Sequence, residues 1–179
     1  EKTLPEGVRS QAKLAVRDEY TFDFLELGDE VSERQLEAGI LTRVEPFLRE
    51  MGGVFSFISS QFRLEVCSKE FFVDLLLFHR RLKCLVAIEL KAGEFLPEYV
   101  GKMQFYLAVL DDKVRGEDEN PSIGIILCRS KDRTVVEYAL RESSKAIGVA
   151  AYRMVSALPE ELQGELPGPE QVALLMEGV

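Results

Sequence analysis

Two carboxylates stand in otherwise apolar stretches of the chain, and a lysine follows one of them. Asp74 is the only charged residue in FFVDLLLF, and Glu89 and Lys91 lie at the end of CLVAIELK. Because side chains alternate along a strand, Glu89 and Lys91 share one face with Ala87. A lone buried carboxylate is costly unless a cation or hydrogen bonds compensate its charge. Both stretches are therefore candidates for a site that does chemistry.

The two carboxylates predict a divalent-cation site. If their strands pair, Asp74 and Glu89 repel each other and one pKa rises, and a cation between them removes this repulsion. Mg²⁺ or Mn²⁺ binds carboxylates, carbonyls and water, so the Leu90 carbonyl is a further candidate ligand. Lys91 would hold a water or a phosphate oxygen. The alternatives are a solvated pair of Glu89 with Lys91 and, for Asp74, hydrogen bonds from backbone N–H groups or Arg63.

Two polar residues fall on the apolar stripes of predicted helices. Glu37 is spaced with Leu41 and Leu48, and Gln104 with Val100 and Leu107. A polar group on a core-facing stripe needs a buried partner, and a metal site would supply one. The alternative is that both residues flank the core.

The predicted elements that position these residues follow the order α-β-β-β-α-β-α-β. Ser32 and Gln35 form a capping box that opens a helix, and Gly52 ends it. The predicted helices cover residues 32–51, 97–114 and 134–143, and the strands cover 54–66, 71–79, 83–91, 123–128 and 146–154. This order predicts an α/β fold, a mixed central sheet flanked by helices.

Composition narrows the class of protein. The net charge is −9, yet residues 61–153 carry 15 basic against 14 acidic residues, so attraction to a polyanion must be local. No apolar run reaches the roughly 20 residues of a membrane span. Three scattered cysteines argue against a disulfide framework, and we expect Cys84 and Cys128, which lie in apolar runs, to be buried, reduced thiols of a cytoplasmic protein. We expect an arm or linker over 1–31, one domain over 32–158 and a tail over 159–179.

Asp74 followed by Glu89-Leu90-Lys91 resembles the PD-(D/E)XK nuclease superfamily. The longer stretches FFVDLLLFHRRLKCLVAIELKAGEFLPEYVGKMQFYL, NPSIGIILCRSK, VVEYAL and IGVAAY are similar to the C-terminal nuclease domain of bacterial YhcG-like proteins. The resemblance covers residues 18–158. It implies a restriction-endonuclease-like αβββαβ core and metal-dependent hydrolysis of phosphodiester bonds, expected in DNA.

The resemblance also implies roles for individual residues. Asp74 and Glu89 would bind the metal, and Lys91 would position the attacking water or stabilise negative charge. Glu37 would match an acidic residue on the first core helix, and Gln104 a polar residue on the helix after the motif. With Glu37 included, one or two ions are both possible. The family's proteins carry a helical N-terminal domain, which is missing from this sequence and is an expected partner.

Other polar residues have a functional and an ordinary interpretation. Arg80 and Arg81 would contact phosphates or form a solvated hairpin tip, beside an exposed His79. Lys102 would reach the DNA backbone or lie on the helix surface, and Gln61 would touch substrate or solvent. Two rival functions stay open. One is a catalytically silent DNA- or protein-binding module, and the other an oligomerisation domain that pairs YVGKMQFYLAVL with a second copy to form a homodimer.

Overall fold

The computed structural model describes residues 16–25, 27–28 and 30–154. The predicted tail over 159–179 lies outside these residues. In chain order the elements are β1 (Glu19–Thr21), α1 (Glu33–Thr42), α2 (Val44–Met51), β2 (Phe55–Val66), β3 (Lys69–His79), β4 (Cys84–Leu90), α3 (Glu98–Lys113), β5 (Asn120–Cys128), α4 (Arg133–Leu140) and β6 (Ala146–Arg153).

One mixed sheet carries the whole arrangement, in the strand order β1-β6-β5-β4-β3-β2. Strands β2, β3 and β4 pair antiparallel, whereas β4, β5, β6 and β1 run parallel. All residues of β4 are buried, as expected where both faces of a strand are covered. Helices α1 and α2 pack on one face, and α3 and α4 on the other. The predicted restriction-endonuclease-like αβββαβ core is confirmed.

The prediction of one helix over 32–51 is wrong, because the chain breaks at Arg43 into α1 and α2. Pro46 explains the break, since proline has no N–H to donate to the carbonyl four residues earlier, and its ring collides with that carbonyl. The capping box is confirmed, with Gln35 N–H to Ser32 Oγ at 3.2 Å and Ser32 N–H to Gln35 Oε1 at 3.0 Å. Gly52 ends α2 with φ +122°.

The sequence pattern did not predict β1, which lies in the segment expected to be an arm or linker. Its three residues pair in parallel with Ala151–Arg153 of β6. Tyr20 and Phe22 are fully buried, and the Phe22 ring centre lies 5.6 Å from that of Tyr152 and 5.7 Å from that of Phe47. The cluster DEYTFDFLEL therefore supplies an edge strand and an aromatic anchor to the core.

No helix in the described part of the chain has both the length and the apolar character that a bilayer crossing requires. Cys84 and Cys128 are buried free thiols, as predicted, and Cys67 is an exposed one. Burial raises the pKa of both buried thiols to about 12. They therefore stay protonated and act as small apolar side chains.

We expect Phe22→Ala to lower the free energy of unfolding by about 3–5 kcal/mol, because it removes a fully buried ring. Tyr138→Ala is the matched control, since Tyr138 is 65% exposed and should change stability by less than about 0.5 kcal/mol. Urea unfolding followed by circular dichroism measures both. Equal stability of the two variants would mean that residues around β1 are not part of the folded unit.

Candidate active site

The site lies where β3 and β4 separate. Their ladder ends at the pair Leu75–Ile88, and at the next position side chains replace backbone partners. The Leu90 N–H donates to Asp74 Oδ2 at 2.8 Å, and the Asp74 N–H donates to Glu89 Oε1 at 3.5 Å. Each carboxylate thus accepts a backbone N–H from the opposite strand. The predicted convergence of Asp74 and Glu89 is present.

The strand alternation explains why both carboxylates face α3. Ala87 and Leu76, two residues from Glu89 and Asp74, belong to the core cluster under α3. Glu89 is only 3% exposed. Burial raises the pKa of Glu89 and the Asp74 charge raises it further, while Lys102 and Lys91 lower it, so that the pKa is about 7. The expected rise of one carboxyl pKa is present, and Glu89 is the group that takes it.

Lys102 is the direct cationic partner of Glu89, although the sequence predicted a DNA contact for it. Its Nζ lies 3.4 Å from Glu89 Oε2 and 5.4 Å from the centre of the Tyr106 ring. Burial lowers the pKa of Lys102, but Glu89 and Tyr106 raise it by more, so the net shift is upward. One signal was available in the sequence: Lys102 and Tyr106 are four residues apart and share a helix face.

Lys91 follows β4 on the side predicted for it. Its backbone N–H continues the parallel ladder by donating to the Leu127 carbonyl at 2.8 Å, and its Nζ lies 4.6 Å from the centre of the Tyr99 ring. The face of an aromatic ring attracts a cation, so Tyr99 holds the ammonium where it lowers the pKa of Glu89. The alternative of a Glu89–Lys91 ion pair gives way to the pair of Glu89 with Lys102.

Gln61 connects Glu37 to the site. Its Nε2 donates to Glu37 Oε2 at 2.6 Å and to Asp74 Oδ1 at 3.2 Å. Gln61 has φ 46°, and such a left-handed conformation costs a non-glycine residue about 1–2 kcal/mol. The β2–β3 register skips it, passing from Ser60–Leu75 to Phe62–Val73. In this left-handed conformation the Gln61 amide contacts both carboxylates.

The environment of Glu37 follows from the same contact. Burial raises the pKa of Glu37, the hydrogen bond from Gln61 lowers it, and the Asp74 charge raises it, with a net upward shift. Glu37 thus reaches Asp74 only through the Gln61 amide. Arg63, considered as a partner for Asp74, pairs with Glu65 instead.

Gln104 does not join this cluster. An α-helix turns about 100° per residue, so Gln104 lies on the opposite flank of α3 from Lys102. Its side chain is half-buried, and among the described residues no hydrogen bond to it is seen. Its catalytic role, inferred from the resemblance, stays a prediction without a contact to support it.

The Arg80–Arg81 hairpin lies at the far end of β4, about 20 Å from Leu90 at the usual strand rise. The Arg80 guanidinium donates to the Gly53 carbonyl, which is a structural contact. The expectation that His79 is exposed is wrong, since it is only 5% exposed. Its Nδ1 accepts the Leu82 N–H at 3.0 Å, and this turn contact holds the ring against the core.

Two carboxylates, and not three, are available to a cation in this arrangement. Among the described residues no group of three Asp, Glu, His or Cys side chains is close enough to hold a metal, because Gln61 separates Glu37 from Asp74. Asp74 and Glu89 nevertheless fit Mg²⁺, which takes one or two carboxylates and completes its shell with water. Burial and the neighbouring Asp74 charge together raise the pKa of Glu89, and a bound cation would offset both effects.

Comparison with known proteins shows the family to which this chain belongs. The chain belongs to the family described as the YhcG PDDEXK nuclease domain, whose model matches residues 13–167. It is 39% identical over 147 residues to an Escherichia coli (strain K12) protein named "Putative nuclease YhcG", and the match covers 82% of this chain and 39% of that protein. The chain thus spans well under half the length of this relative. The family resemblance read from the sequence is confirmed.

Solved structures show a more distant similarity. A repair endonuclease from Pyrococcus abyssi is 18% identical, with a TM-score of 0.43 over 72% of this chain and 49% of its own. The EndoMS–dsDNA2 complex is 14% identical, with a TM-score of 0.47 over 73% of this chain and 48% of its own.

The raised Glu89 pKa predicts a pH-dependent effect of Glu89→Gln without metal. The folded protein keeps the Glu89 proton up to about pH 7, whereas the ordinary carboxyl pKa is 4.5. Between these values the folded state binds more protons, so this group lowers stability as pH rises. Between about pH 5 and about pH 8, the free energy of unfolding of Glu89→Gln should therefore rise by roughly 2–3 kcal/mol relative to that of the wild type.

Urea unfolding in EDTA at both pH values measures this difference. Glu117→Gln, an exposed change in the loop after α3, should follow the wild type at both. A constant difference between Glu89→Gln and the wild type across this range would contradict the proposed environment of Glu89.

Proposed function

We propose that this chain is a divalent-metal-dependent nuclease domain that hydrolyses phosphodiester bonds in DNA. The observation that carries the proposal is the convergence of Asp74 and Glu89 where β3 and β4 separate, with Lys102 on Glu89 and Lys91 beside it. Two acidic groups and two ammonium groups meet at the end of a buried strand. Membership of a nuclease-domain family supports the same conclusion.

Asp74 and Glu89 would hold the cation, which we propose to be Mg²⁺ or Mn²⁺. The Leu90 carbonyl would add a third oxygen, because a strand residue directs its C=O to the same side as its N–H, and that N–H meets Asp74. When bound, the cation would lower the pKa of a coordinated water and neutralise phosphate charge. Glu37 remains a proposed ligand that requires Gln61 to release it.

Lys102 and Lys91 have different electrostatic roles in this proposal. Lys102 donates to Glu89 Oε2 and so favours the ionised carboxylate that a cation needs. Lys91 is held over the Tyr99 ring, where it supplies a fixed positive charge for negative charge that develops on the phosphate. Because both side chains pack against rings of the same helix, they are positioned before substrate arrives.

The setting of the domain is also part of the proposal. We propose a cytoplasmic protein in which residues 32–158, together with β1, form the nuclease unit and an N-terminal domain assists DNA binding. A homodimer is compatible with nuclease action. The rival, a catalytically silent binding module of the same fold, predicts DNA binding without cleavage.

A cation that binds the folded state raises the melting temperature, by about 2–4 °C for each kcal/mol of binding in a domain of this size. We expect such a rise with Mg²⁺ or Mn²⁺. It should be larger at about pH 8 than at about pH 6, because Glu89 must lose its proton to bind the metal. Differential scanning fluorimetry measures the shift.

Asp74→Asn should abolish most of this thermal shift, whereas Asp112→Asn, an exposed change on α3, should leave it unchanged. Equal shifts for the wild type and Asp74→Asn would place the cation elsewhere.

Glu89→Ala and Lys91→Ala should each lower metal-dependent DNA cleavage by about 10²–10³-fold or more, since each removes charge from the reacting centre. The assay uses the whole protein and a panel of duplex, branched and single-stranded DNA, with and without Mg²⁺. Glu117→Ala and Lys83→Ala change exposed residues away from the site and serve as matched controls. Full cleavage by Glu89→Ala would rule out the catalytic assignment, and DNA binding by a wild type that never cleaves would favour the silent module.

A further inference from the structure

A basic cavity of about 520 Å³ opens beyond the carboxyl ends of β5 and β6. Its charged lining residues are Arg129, Lys131, Arg133 and Arg153 on the basic side and Asp18 and Glu19 on the acidic side. The lining carries more positive than negative charge, in a chain whose net charge is −9. Ligands of open α/β sheets bind at the carboxyl ends of the parallel strands, which is where this cavity lies.

The cavity adjoins the candidate active site. Tyr152 forms part of its lining, and the Tyr152 hydroxyl donates to the Lys91 carbonyl at 2.9 Å. The Arg129 N–H donates to the Gly93 carbonyl at 2.9 Å, two residues after Lys91. One tyrosine and one backbone hydrogen bond therefore join the cavity to the segment that carries the catalytic lysine.

Two basic groups of the cavity, Arg153 and Arg133, are held by exposed ion pairs that a phosphate could replace. Arg153 pairs with Glu19 at 2.9 Å, and the Arg153 side chain is 67% exposed. Arg133 pairs with Glu137 at 3.3 Å and is 92% exposed. Exposed pairs of this kind contribute about 0–1 kcal/mol, so exchanging a carboxylate for a phosphate oxygen costs little. Guanidinium groups are well suited to phosphate, because they can donate two parallel hydrogen bonds.

We propose that this cavity binds backbone phosphates of the DNA strand whose scissile bond lies at Asp74 and Glu89. The inference rests on the proposed nuclease function and extends it with a substrate-binding surface. Neighbouring strands lie about 4.8 Å apart, so the edge from β4 to β6 is about 10 Å long. One strand of a duplex carries a phosphate about every 3.4 Å along its axis. The edge is therefore long enough for a short run of backbone phosphates, and such contacts carry no information about base sequence.

The cavity, and not the Arg80–Arg81 hairpin, supplies the phosphate contacts in this proposal. The hairpin lies at the opposite end of β4, and Arg80 is engaged with Gly53. Arg81→Gln is therefore the matched control for Arg153→Gln and Arg133→Gln, since all three remove one guanidinium from an exposed residue.

The test measures binding of a short fluorescent duplex by anisotropy, in EDTA, with every variant built on whole protein that carries Glu89→Gln. Arg153→Gln and Arg133→Gln should each weaken binding roughly five- to tenfold near 0.1 M salt and reduce the slope of log K against log salt by about 0.9. Arg81→Gln should change neither quantity. Unchanged affinity and slope in both cavity variants would overturn the proposal.

A variant of opposite sign separates phosphate binding from a structural role of Arg153. Glu19→Gln removes the carboxylate that occupies Arg153, so it should tighten DNA binding if a phosphate takes that place. If Arg153 served only to hold β1 through Glu19, both Glu19→Gln and Arg153→Gln would lower the melting temperature and neither would change affinity.

Cleavage assays on the parent with Glu89 intact distinguish this proposal from the nuclease function. If Glu89→Ala abolishes cleavage while the two cavity variants bind and cleave like the parent, the nuclease function stands and the cavity proposal is wrong. If the parent never cleaves but the cavity variants lose affinity, the DNA-binding surface stands and the catalytic proposal is wrong.

Discussion

The structure depends on how two carboxylates are accommodated inside a sheet. Asp74 and Glu89 lie where the β3–β4 ladder stops, and each accepts a backbone N–H that the ladder no longer uses. Hydrogen bonds from N–H groups offset part of the cost of burying charge. They do not remove the cost entirely, because burial and then the charge of Asp74 still raise the pKa of Glu89 to about 7. The separation of the strands therefore creates the site and leaves two carboxylates that a nearby positive charge would stabilise.

One face of helix α3 supplies the cation next to the carboxylates and the rings that position the lysines. Tyr99, Lys102 and Tyr106 are spaced three and four residues apart, so they lie together on the helix. The two rings and the lysine meet Lys91 and Glu89. Gln104 lies on the other flank of the helix, because two residues correspond to a little over half a turn. The apolar stripe does not show which flank of the helix faces the carboxylates, so the sequence favoured Gln104 and left Lys102 as a surface or DNA-contacting residue.

The parts of the fold predicted correctly are those set by local rules. Strand alternation placed Glu89 and Lys91 on one face of β4, and Ser32 with Gln35 marked the start of α1. The failures depend on tertiary structure or on an overlooked residue. The strand β1 is only three residues long, and it forms a strand because it pairs with β6, which is distant in sequence. His79 is buried, and its ring accepts the N–H of a turn residue. The sequence, a single histidine followed by two arginines, does not predict this contact. Pro46, by contrast, could have revealed the break at Arg43.

Gln61 shows a tension between folding and function. Its left-handed backbone is one that glycine adopts without penalty, so selection for folding alone would favour losing this side chain. The side chain is nevertheless the one that tethers Glu37 and Asp74, and glycine cannot do so. The strained backbone at Gln61, next to the carboxylates, is therefore one reason why this domain is less stable than its fold would allow. A substitution at Gln61 would therefore exchange stability of the fold for a different arrangement of Glu37 and Asp74.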